Sequence, residues 1–348
     1  MSSQVPSTAT ENPEYDAKLY QETCRLLGRL SKAGYQYEDC HEIAPLVLAI
    51  QRLKEEQDAL ILCHHFMTPD LIHGIADVVG DASLLVDMAR KTDKRNIIVC
   101  AIKPLAEAVK LVNPDARVLL PNLEAGCSIA DGITAEDVRA LRREYPDAPA
   151  VAYINSSAEV KAESDYVVTS KNARELIKRL PHRQILFYPD HAIATNLQEE
   201  YPDKEVIGWK GKCIVHEEYT VDRIKFFKEK HPSTHILFHS ECAPEVIPYG
   251  HMHGGTNSMI EYVENHLEVD SFFLVTECGL SDSLRVQFPD KKFIGTCALC
   301  PYMKSINLSN TLKIMQSETG AGQVIEIDPE VARRARQAMH NMYALVEN

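Results

Sequence analysis

Three cysteines recur at nearly equal spacing along this 348-residue chain. Cys127, Cys213 and Cys300 lie 86 and 87 residues apart. Three thiolates that converge can hold a metal ion or an iron–sulfur cluster, and three protein ligands leave one coordination position open. A cluster iron with an open position could act as a Lewis acid on a substrate oxygen. The spacing alone also fits a three-thiol zinc site, or three repeats that each keep a small buried residue at one place.

The remaining cysteines are expected to play lesser parts. Cys297 forms a CxxC pair with Cys300, which read alone suggests redox or zinc chemistry, but the chain has no second CxxC. We therefore interpret Cys300 as the ligand and Cys297 as secondary, and the sequence leaves open whether the two form a regulatory disulfide. Cys242 and Cys278 break the spacing and are expected in the core or beside the pocket. Plain packing is expected for Cys24, Cys40, Cys63 and Cys100.

The elements that must position these thiols repeat with the same period. Residues 15–34 and 42–57 have the apolar spacing of helices, and short apolar strands alternate with helices after them, which is typical of an α/β fold. The strand-like runs form three sets, at 59–63, 150–154 and 235–238, at 96–101, 185–188 and 272–275, and at 117–120, 205–208 and 292–294. We infer three βαβαβ repeats of about 87 residues around a pseudo-threefold axis, each with its cysteine just after the third strand.

The chain accordingly divides into six predicted segments. They are a flexible tail (1–14), N-terminal helices (15–57), three repeats (58–145, 146–231 and 232–315), and a C-terminal strand and helix that close the first repeat (316–348). In open α/β sheets, ligands bind beyond the carboxyl ends of the strands. The repeats would therefore bring three strand ends and three thiols to one central site, which an iron–sulfur cluster or a metal ion could occupy.

Polar side chains stand at the carboxyl end of the first strand in every copy. His64 follows it in the first copy, Tyr153 and Asn155 in the second, and His239 and Glu241 in the third. A lone histidine is more often a core residue, but matched positions in three copies favour one shared site. The helices that follow are predicted to open at Thr68, Ser156, Ser170 and Thr256. Free N–H groups at helix starts attract carboxylates and phosphates.

The composition limits the partners of the protein. Its formal charge of −13 disfavours general binding of nucleic acid or of an anionic membrane surface. The sequence contains no run of about 18 apolar residues, and Met1 to Asp16 lacks the apolar region of a secretory signal. We therefore expect a cytoplasmic protein in a reducing compartment, without a disulfide framework. Small anionic substrates would need a locally positive site, which helix N-termini or a metal centre could supply.

Several motifs, in order, resemble those of the quinolinate synthase family from about residue 50 to the C-terminus. The motifs are Leu123–Ser128, Tyr153–Lys161, Val168–Ser170, Gly211–Glu217, His239–Cys242 and Cys297–Lys304. The resemblance implies condensation of iminoaspartate with dihydroxyacetone phosphate to quinolinate, with release of phosphate and water, in de novo NAD biosynthesis. It also implies a [4Fe–4S] cluster on Cys127, Cys213 and Cys300, and functional coupling to L-aspartate oxidase.

The resemblance further implies roles for polar residues. The implied substrate contacts are His64, Ser83, Tyr153, Asn155, Ser170, His216, His239, Glu241 and Thr256. Among them, Glu241 matches the acid or base of the family, and His64, His239 and Tyr153 are also expected to take part in catalysis. General acid–base help of this kind typically contributes about 10²–10⁴-fold in rate.

The sequence also departs from the family pattern around the substrate. Phe66 stands where the family usually has Tyr, and Ser240 where it usually has Pro. The segment Asp81–Leu84 fits the usual Asp-Ser-Leu only with an insertion, which makes Ser83 the match for the serine, and Gly254–Asn257 replaces Gly-Ser-Thr-Ser. These changes leave two alternatives: a related [4Fe–4S] lyase or dehydratase for another small acid, or a non-catalytic iron–sulfur sensor.

Overall fold

The computed structural model describes residues 13 to 346, so almost all of the predicted flexible tail (1–14) lies outside the described residues. The two expected N-terminal helices are present as α1 (Pro13–Leu30) and α2 (Tyr37–Glu56), which pack against each other. Buried residues recur every three or four positions along α2, which is the spacing of an amphipathic helix.

Three separate four-stranded sheets follow, one in each repeat, and all their strands are parallel. The first contains β1 (Ala59–His64), β2 (Val78–Gly80), β3 (Asn96–Cys100) and β4 (Arg117–Leu119). The second contains β5 (Ala150–Tyr153), β6 (Tyr166–Val168), β7 (Gln184–Tyr188) and β8 (Glu205–Gly208). The third contains β9 (His235–His239), β10 (Met252–Gly254), β11 (Ser271–Val275) and β12 (Lys292–Phe293). The strand order is the same in every sheet, which confirms the predicted α/β class with three pseudo-symmetric repeats.

Helices connect and cover the strands. They are α3 (Pro69–Gly74), α4 (Ala82–Lys91), α5 (Lys103–Val112), α6 (Ala135–Glu144), α7 (Ala158–Ala162), α8 (Ala173–Arg179), α9 (His191–Glu200), α10 (Val221–Lys230), α11 (Thr256–Asn265), α12 (Gly279–Gln287), α13 (Pro301–Lys304), α14 (Leu308–Gln316) and α15 (Pro329–Val346). The long strands are apolar and buried along almost their whole length, as expected for parallel strands covered by helices. Within residues 13–346, none of the helices combines the length and the apolar character that crossing a bilayer requires.

Each repeat contains one strand that the sequence did not predict. The nine strands expected from apolar runs are all present, but β2, β6 and β10 make the repeats four-stranded rather than βαβαβ. These strands are three residues long and lie at the sheet edge, so they carry little periodic signal. They matter because Gly80, Val168 and Gly254 pair with the carboxyl ends of β1, β5 and β9. The residues that follow them are thereby brought beside the predicted central site.

Side chains that cap helices fix where several of them begin. The capping acceptors include Asp81 for α4, Thr134 for α6, Ser157 for α7, Asp190 for α9 and Thr220 for α10. The cap of α7 is therefore Ser157 rather than the predicted Ser156, whose hydroxyl instead donates to the carbonyl oxygen of Tyr153. Similarly, α8 begins after Asn172 rather than at Ser170, which leaves Ser170 in the preceding loop.

The C-terminal segment contacts two repeats. Val324 forms an antiparallel bridge with Leu119 at the edge of the first sheet, in the segment where a strand was expected. The final helix, α15, packs against α7, β6 and α8 of the second repeat and against α5 of the first. The bridge therefore lies on the first repeat, as expected, whereas α15 lies mainly on the second. The division of the chain into six segments stays a prediction.

Candidate active site

The three repeats meet around one cavity. All but one of the residues predicted for the site line it: His64, Cys127, Tyr153, Asn155, Ser170, Cys213, His216, His239, Glu241, Thr256 and Cys300. Ser83 instead lines a separate cleft, and Asp81 and Ala82 take the place beside the cavity. Asp81 caps α4 by accepting the N–H of Leu84 (2.9 Å). The contribution of Ser83 to substrate binding stays a prediction.

A backbone hydrogen bond at the same place in every repeat explains why the thiols converge. Two residues before each cysteine, a carbonyl oxygen accepts an N–H from the loop that follows β3, β7 or β11. The bonds run from Lys103 to Ala125 (2.6 Å), from His191 to Gly211 (2.8 Å) and from Cys278 to Ala298 (3.2 Å). Each cysteine therefore follows a fixed point at the carboxyl end of its own sheet, and the three thiols face the same cavity.

The cysteine loops of the first and second repeats are also tied to each other. Gly211 lies so close to the carbonyl oxygen of Pro189 that a Cβ at this position would clash with it. The hydroxyl of Ser128 donates to the carbonyl oxygen of Lys212 (3.1 Å) and accepts the N–H of Ile214 (3.2 Å). These bonds flank the second cysteine of the set on both sides.

Glu241 is the centre of a buried hydrogen-bond network. One carboxylate oxygen accepts from the Tyr153 hydroxyl (3.0 Å) and the Asn155 amide (3.3 Å), and the other lies 3.2 Å from Nδ1 of His216. Burial alone would raise the pKa of Glu241, but the hydrogen bonds from the His216 ring and the Tyr153 hydroxyl contribute to lowering that pKa to about 2. Burial raises the pKa of Tyr153, which keeps its hydroxyl protonated. Glu241 is therefore an ionised carboxylate that can accept a proton.

His64 and His239 occupy equivalent positions and are held in the same state. Nδ1 of each ring accepts the backbone N–H two residues further on, from Phe66 (3.2 Å) and Glu241 (3.3 Å). Burial lowers the pKa of both rings to about 3, so they are neutral at physiological pH. The proton of each neutral ring is then on Nε2, which acts as a hydrogen-bond donor. Nε2 of His239 lies 3.5 Å from Oγ1 of Thr256.

Apolar and aromatic side chains complete the cavity and orient the imidazoles. The apolar lining consists of Phe66, Ala82, Ile102, Leu105, Val215 and Met303. The ring of Phe66 lies edge-on to His64, with centroids 4.6 Å apart. The ring of His216 stacks on His239 at a centroid distance of 4.8 Å. These contacts restrict the rotation of all three histidine rings.

The thiols and their neighbours form a donor set for a metal cofactor. Cys213, His216 and Glu241 each place a ligand atom within 4.8 Å of those of the other two. Burial raises the pKa of Cys127 to about 12 and also raises the pKa of Cys213 and Cys300. Thiols in such surroundings stay protonated unless a bound cation stabilises the thiolate. Three sulfur donors in one cavity suit zinc or an iron–sulfur cluster, so the residues fit a metal cofactor.

A family model described as quinolinate synthetase A protein matches residues 48–344. The chain belongs to the quinolinate synthase family. It is 42% identical over 297 residues to quinolinate synthase 2 of Mesorhizobium japonicum, an alignment that covers 85% of this chain and 90% of that protein. It is 39% identical over 326 residues to quinolinate synthase of Agrobacterium fabrum (94% and 91%) and 36% identical over 306 residues to that of Caulobacter vibrioides (87% and 82%). The resemblance that the sequence motifs indicated is thereby confirmed.

This member of the quinolinate synthase family contains a disulfide that the sequence analysis did not expect. Cys278 and Cys297 are bonded, with Cα atoms 5.2 Å apart, and Cys300 remains a free thiol. A single disulfide is not a disulfide framework, and the partner of Cys297 is Cys278 rather than Cys300. The backbone bond between Cys278 and Ala298 brings the two cysteines together, although 19 residues separate them in the sequence.

Two further carboxyl groups stand at equivalent positions that the sequence analysis did not select. Asp190 and Glu277 lie 87 residues apart, and each comes two residues after a long strand, β7 or β11. Each accepts an N–H at the start of the next helix, Asp190 from Ile193 (2.7 Å) and Glu277 from Gly279 (2.6 Å). Glu277 also lines the cavity. The period that relates the three cysteines would have found both carboxyl groups.

Proposed function

We propose that this protein is a quinolinate synthase that condenses iminoaspartate with dihydroxyacetone phosphate and releases phosphate and water. The observation that carries the proposal is that three repeat-related cysteines line the same cavity as the ionised Glu241 and its hydrogen-bond partners. In this proposal Cys127, Cys213 and Cys300 hold a [4Fe–4S] cluster. When bound, such a cluster supplies an open iron position that polarises a substrate oxygen. Functional coupling to L-aspartate oxidase in the cytoplasm is part of the same proposal.

Substrate anions would bind where helices begin at the cavity. The helix α11 starts at Thr256 behind Gly255, and among the described residues no side chain caps its first turn. Its free N–H groups and the positive end of its dipole favour a carboxylate or a phosphate. Nε2 of His239 and the hydroxyls of Ser170 and Thr256 add neutral donors beside it. An anion can therefore be held without a fixed positive side chain.

Glu241 is the group that moves protons in this proposal. Its carboxylate accepts a proton from the substrate, while Tyr153 and Asn155 hold it in place through their hydrogen bonds. Return of that proton to a departing hydroxyl group gives the water that dehydration releases. Neutral His64 and His239 donate from Nε2 to substrate oxygens and leave the charge of the cavity unchanged.

The test is quinolinate formation by anaerobically purified protein that has been loaded with iron and sulfide and given both substrates. The Cys213→Ala variant is expected to lose both its bound iron and its ability to form quinolinate, because it lacks one of the three ligands. Cys40→Ala is the control, since it removes a buried thiol of α2 that lies outside the cavity lining, and it should keep both. Product from Cys213→Ala at the wild-type rate would contradict the proposal.

A second candidate is a related [4Fe–4S] lyase or dehydratase that acts on another small acid. Phe66 favours it, because this ring lines the cavity beside His64 and presents no hydroxyl there. Protein that holds the cluster but forms no quinolinate would support the second candidate. Full quinolinate-forming activity of the unmodified protein, with no gain in Phe66→Tyr, would exclude it.

A further inference from the structure

Lys304 carries a charge into the interface between the first and third repeats. Its Nζ lies 3.0 Å from a carboxylate oxygen of Glu277 and donates to the carbonyl oxygen of Phe66. The lysine side chain is 18% exposed and that of Glu277 is 1% exposed. One buried ion pair thus joins three segments of the cavity wall: the loop after β1, the loop after β11, and α13.

Glu277 also binds the backbone of Cys300. The carboxylate oxygen that pairs with Lys304 accepts the N–H of Cys300 (3.2 Å), and the other oxygen accepts the N–H of Gly279. The carbonyl oxygen of Cys300 accepts the backbone N–H of Lys304 (3.0 Å), a hydrogen bond of the first turn of α13. The ion pair with Lys304 therefore holds the carboxylate that binds the N–H of Cys300, at the point where α13 begins.

The start of α12 packs closely beside the pair. A Cβ on Gly279 would lie 2.6 Å from the carbonyl oxygen of Phe66 and 2.7 Å from the carboxylate of Glu277. The start of α12 therefore lies directly against the loop of the first repeat.

We infer that Lys304 and Glu277 are positioning residues that hold Cys300 at a fixed place relative to the wall of the first repeat. A buried ion pair adds little net stability compared with an apolar pair of the same size, so stability alone does not account for it. The hydrogen bond from the N–H of Cys300 to Glu277 gives the ion pair a positioning role. The inference rests on the proposed function only in treating Cys300 as a ligand.

The first arm of the test uses metal-free protein and does not depend on any reaction. The rate at which iodoacetamide alkylates Cys300 is measured by peptide mass spectrometry, without reductant, so that the Cys278–Cys297 bond stays intact. Lys304→Met and Glu277→Gln should each raise that rate several-fold and leave the rate at Cys213 unchanged. Glu277→Gln keeps an acceptor for the Cys300 N–H and so guards against simple misfolding.

The second arm follows iron release from cluster-loaded protein to a chelator. Loss of an outer partner of a metal ligand typically costs about 10–100-fold in affinity, so release should be about tenfold faster in both variants. Lys304→Arg should restore much of the wild-type rate, because it keeps the charge and the donors.

Lys54→Met is the matched control for both arms. Lys54 pairs with Asp77 (2.6 Å) and donates to a carbonyl oxygen, that of Ile75 (3.3 Å), but it lies outside the cavity lining. Alkylation and iron release in Lys304→Met equal to those in Lys54→Met would overturn the inference. Wild-type protein that assembles no cluster would defeat the proposed function, while the alkylation arm would still decide the role of Lys304.

Discussion

The first repeat meets each of its neighbours through a lysine and a buried glutamate, but the two pairs are built differently. At the interface with the third repeat, Lys304 touches Glu277 and keeps part of its side chain in water. At the interface with the second repeat, Lys161 is fully buried. Its Nζ donates to the carbonyl oxygens of Pro104 (3.1 Å) and Ser156. The ammonium groups therefore have different partners, a carboxylate at one interface and neutral carbonyl groups at the other.

This difference changes what each lysine contributes. Glu107, the acidic partner of Lys161, accepts the N–H of Ala158 (2.8 Å). Burial lowers the pKa of Lys161 to about 8 and raises the pKa of Glu107. Burial thus disfavours the charged forms of Lys161 and Glu107. Lys304 and Glu277, by contrast, are in direct contact, and Lys304 is partly exposed to solvent. Lysine and glutamate thus form a directional ion pair at the interface with the third repeat. At the interface with the second repeat, the charge of the lysine depends on pH.

Removing the fully buried lysine should have the largest effect. Lys161→Met breaks the bond to Pro104 and leaves Glu107 with the half-exposed Lys103 (3.9 Å) as its cationic neighbour. We expect the metal-free protein to lose about 3–5 kcal/mol of unfolding free energy, measured by urea titration with circular dichroism. Adding Glu107→Gln to Lys161→Met should restore part of the loss. A double variant no more stable than the single one would show that the two residues do not act as a pair.

The same lysine predicts how stability depends on pH. The pKa of Lys161 is about 10.5 in the unfolded chain, and burial lowers it to about 8 in the folded chain. Between these values the unfolded state binds more protons, so the unfolding free energy rises with pH. Relative to Lys161→Met, the metal-free wild type should gain roughly 3 kcal/mol from pH 8 to 10.5. Parallel stability curves for the two proteins would mean that Lys161 does not titrate in this range.

The partly exposed lysine should matter less for stability. Lys304→Met removes charged hydrogen bonds to Glu277 and Phe66, which are typically worth about 1.5–3 kcal/mol together with their desolvation. The loss in the same urea titration should therefore be smaller than for Lys161→Met. Equal losses of unfolding free energy in the two variants would show that the two lysines contribute equally to stability.

Periodicity made most of the fold predictable. The nine predicted strands are apolar runs between polar turns, and the cysteines recur with the same period, so both could be located without a structure. The edge strands β2, β6 and β10, each three residues long, were not among the apolar runs that were recognised as recurring along the chain. Ser83 shows a related limit, since an insertion at Asp81–Leu84 shifts which residue faces the cavity.

Contacts between repeats could not be predicted in this way. Lys161 reaches a carbonyl group 57 residues away in the sequence, and Lys304 reaches one 238 residues away. A repeat period identifies equivalent positions, but it does not identify which of them are neighbours across an interface. The disulfide between Cys278 and Cys297 lies within the third repeat and was missed for another reason: nothing in the spacing of 19 residues marks the two as partners.

The separation of the three sheets affects where the protein opens locally. Among the described residues, each ladder of strand hydrogen bonds ends within its own repeat, and none continues across the cavity. Local opening is easiest where few buried contacts and backbone bonds resist it. Local opening of the cysteine loops would leave each sheet intact, so we expect amide exchange to be slow in β1, β5 and β9 and faster in the three cysteine loops. A cofactor bound by all three cysteine loops would suppress local opening in all of them together.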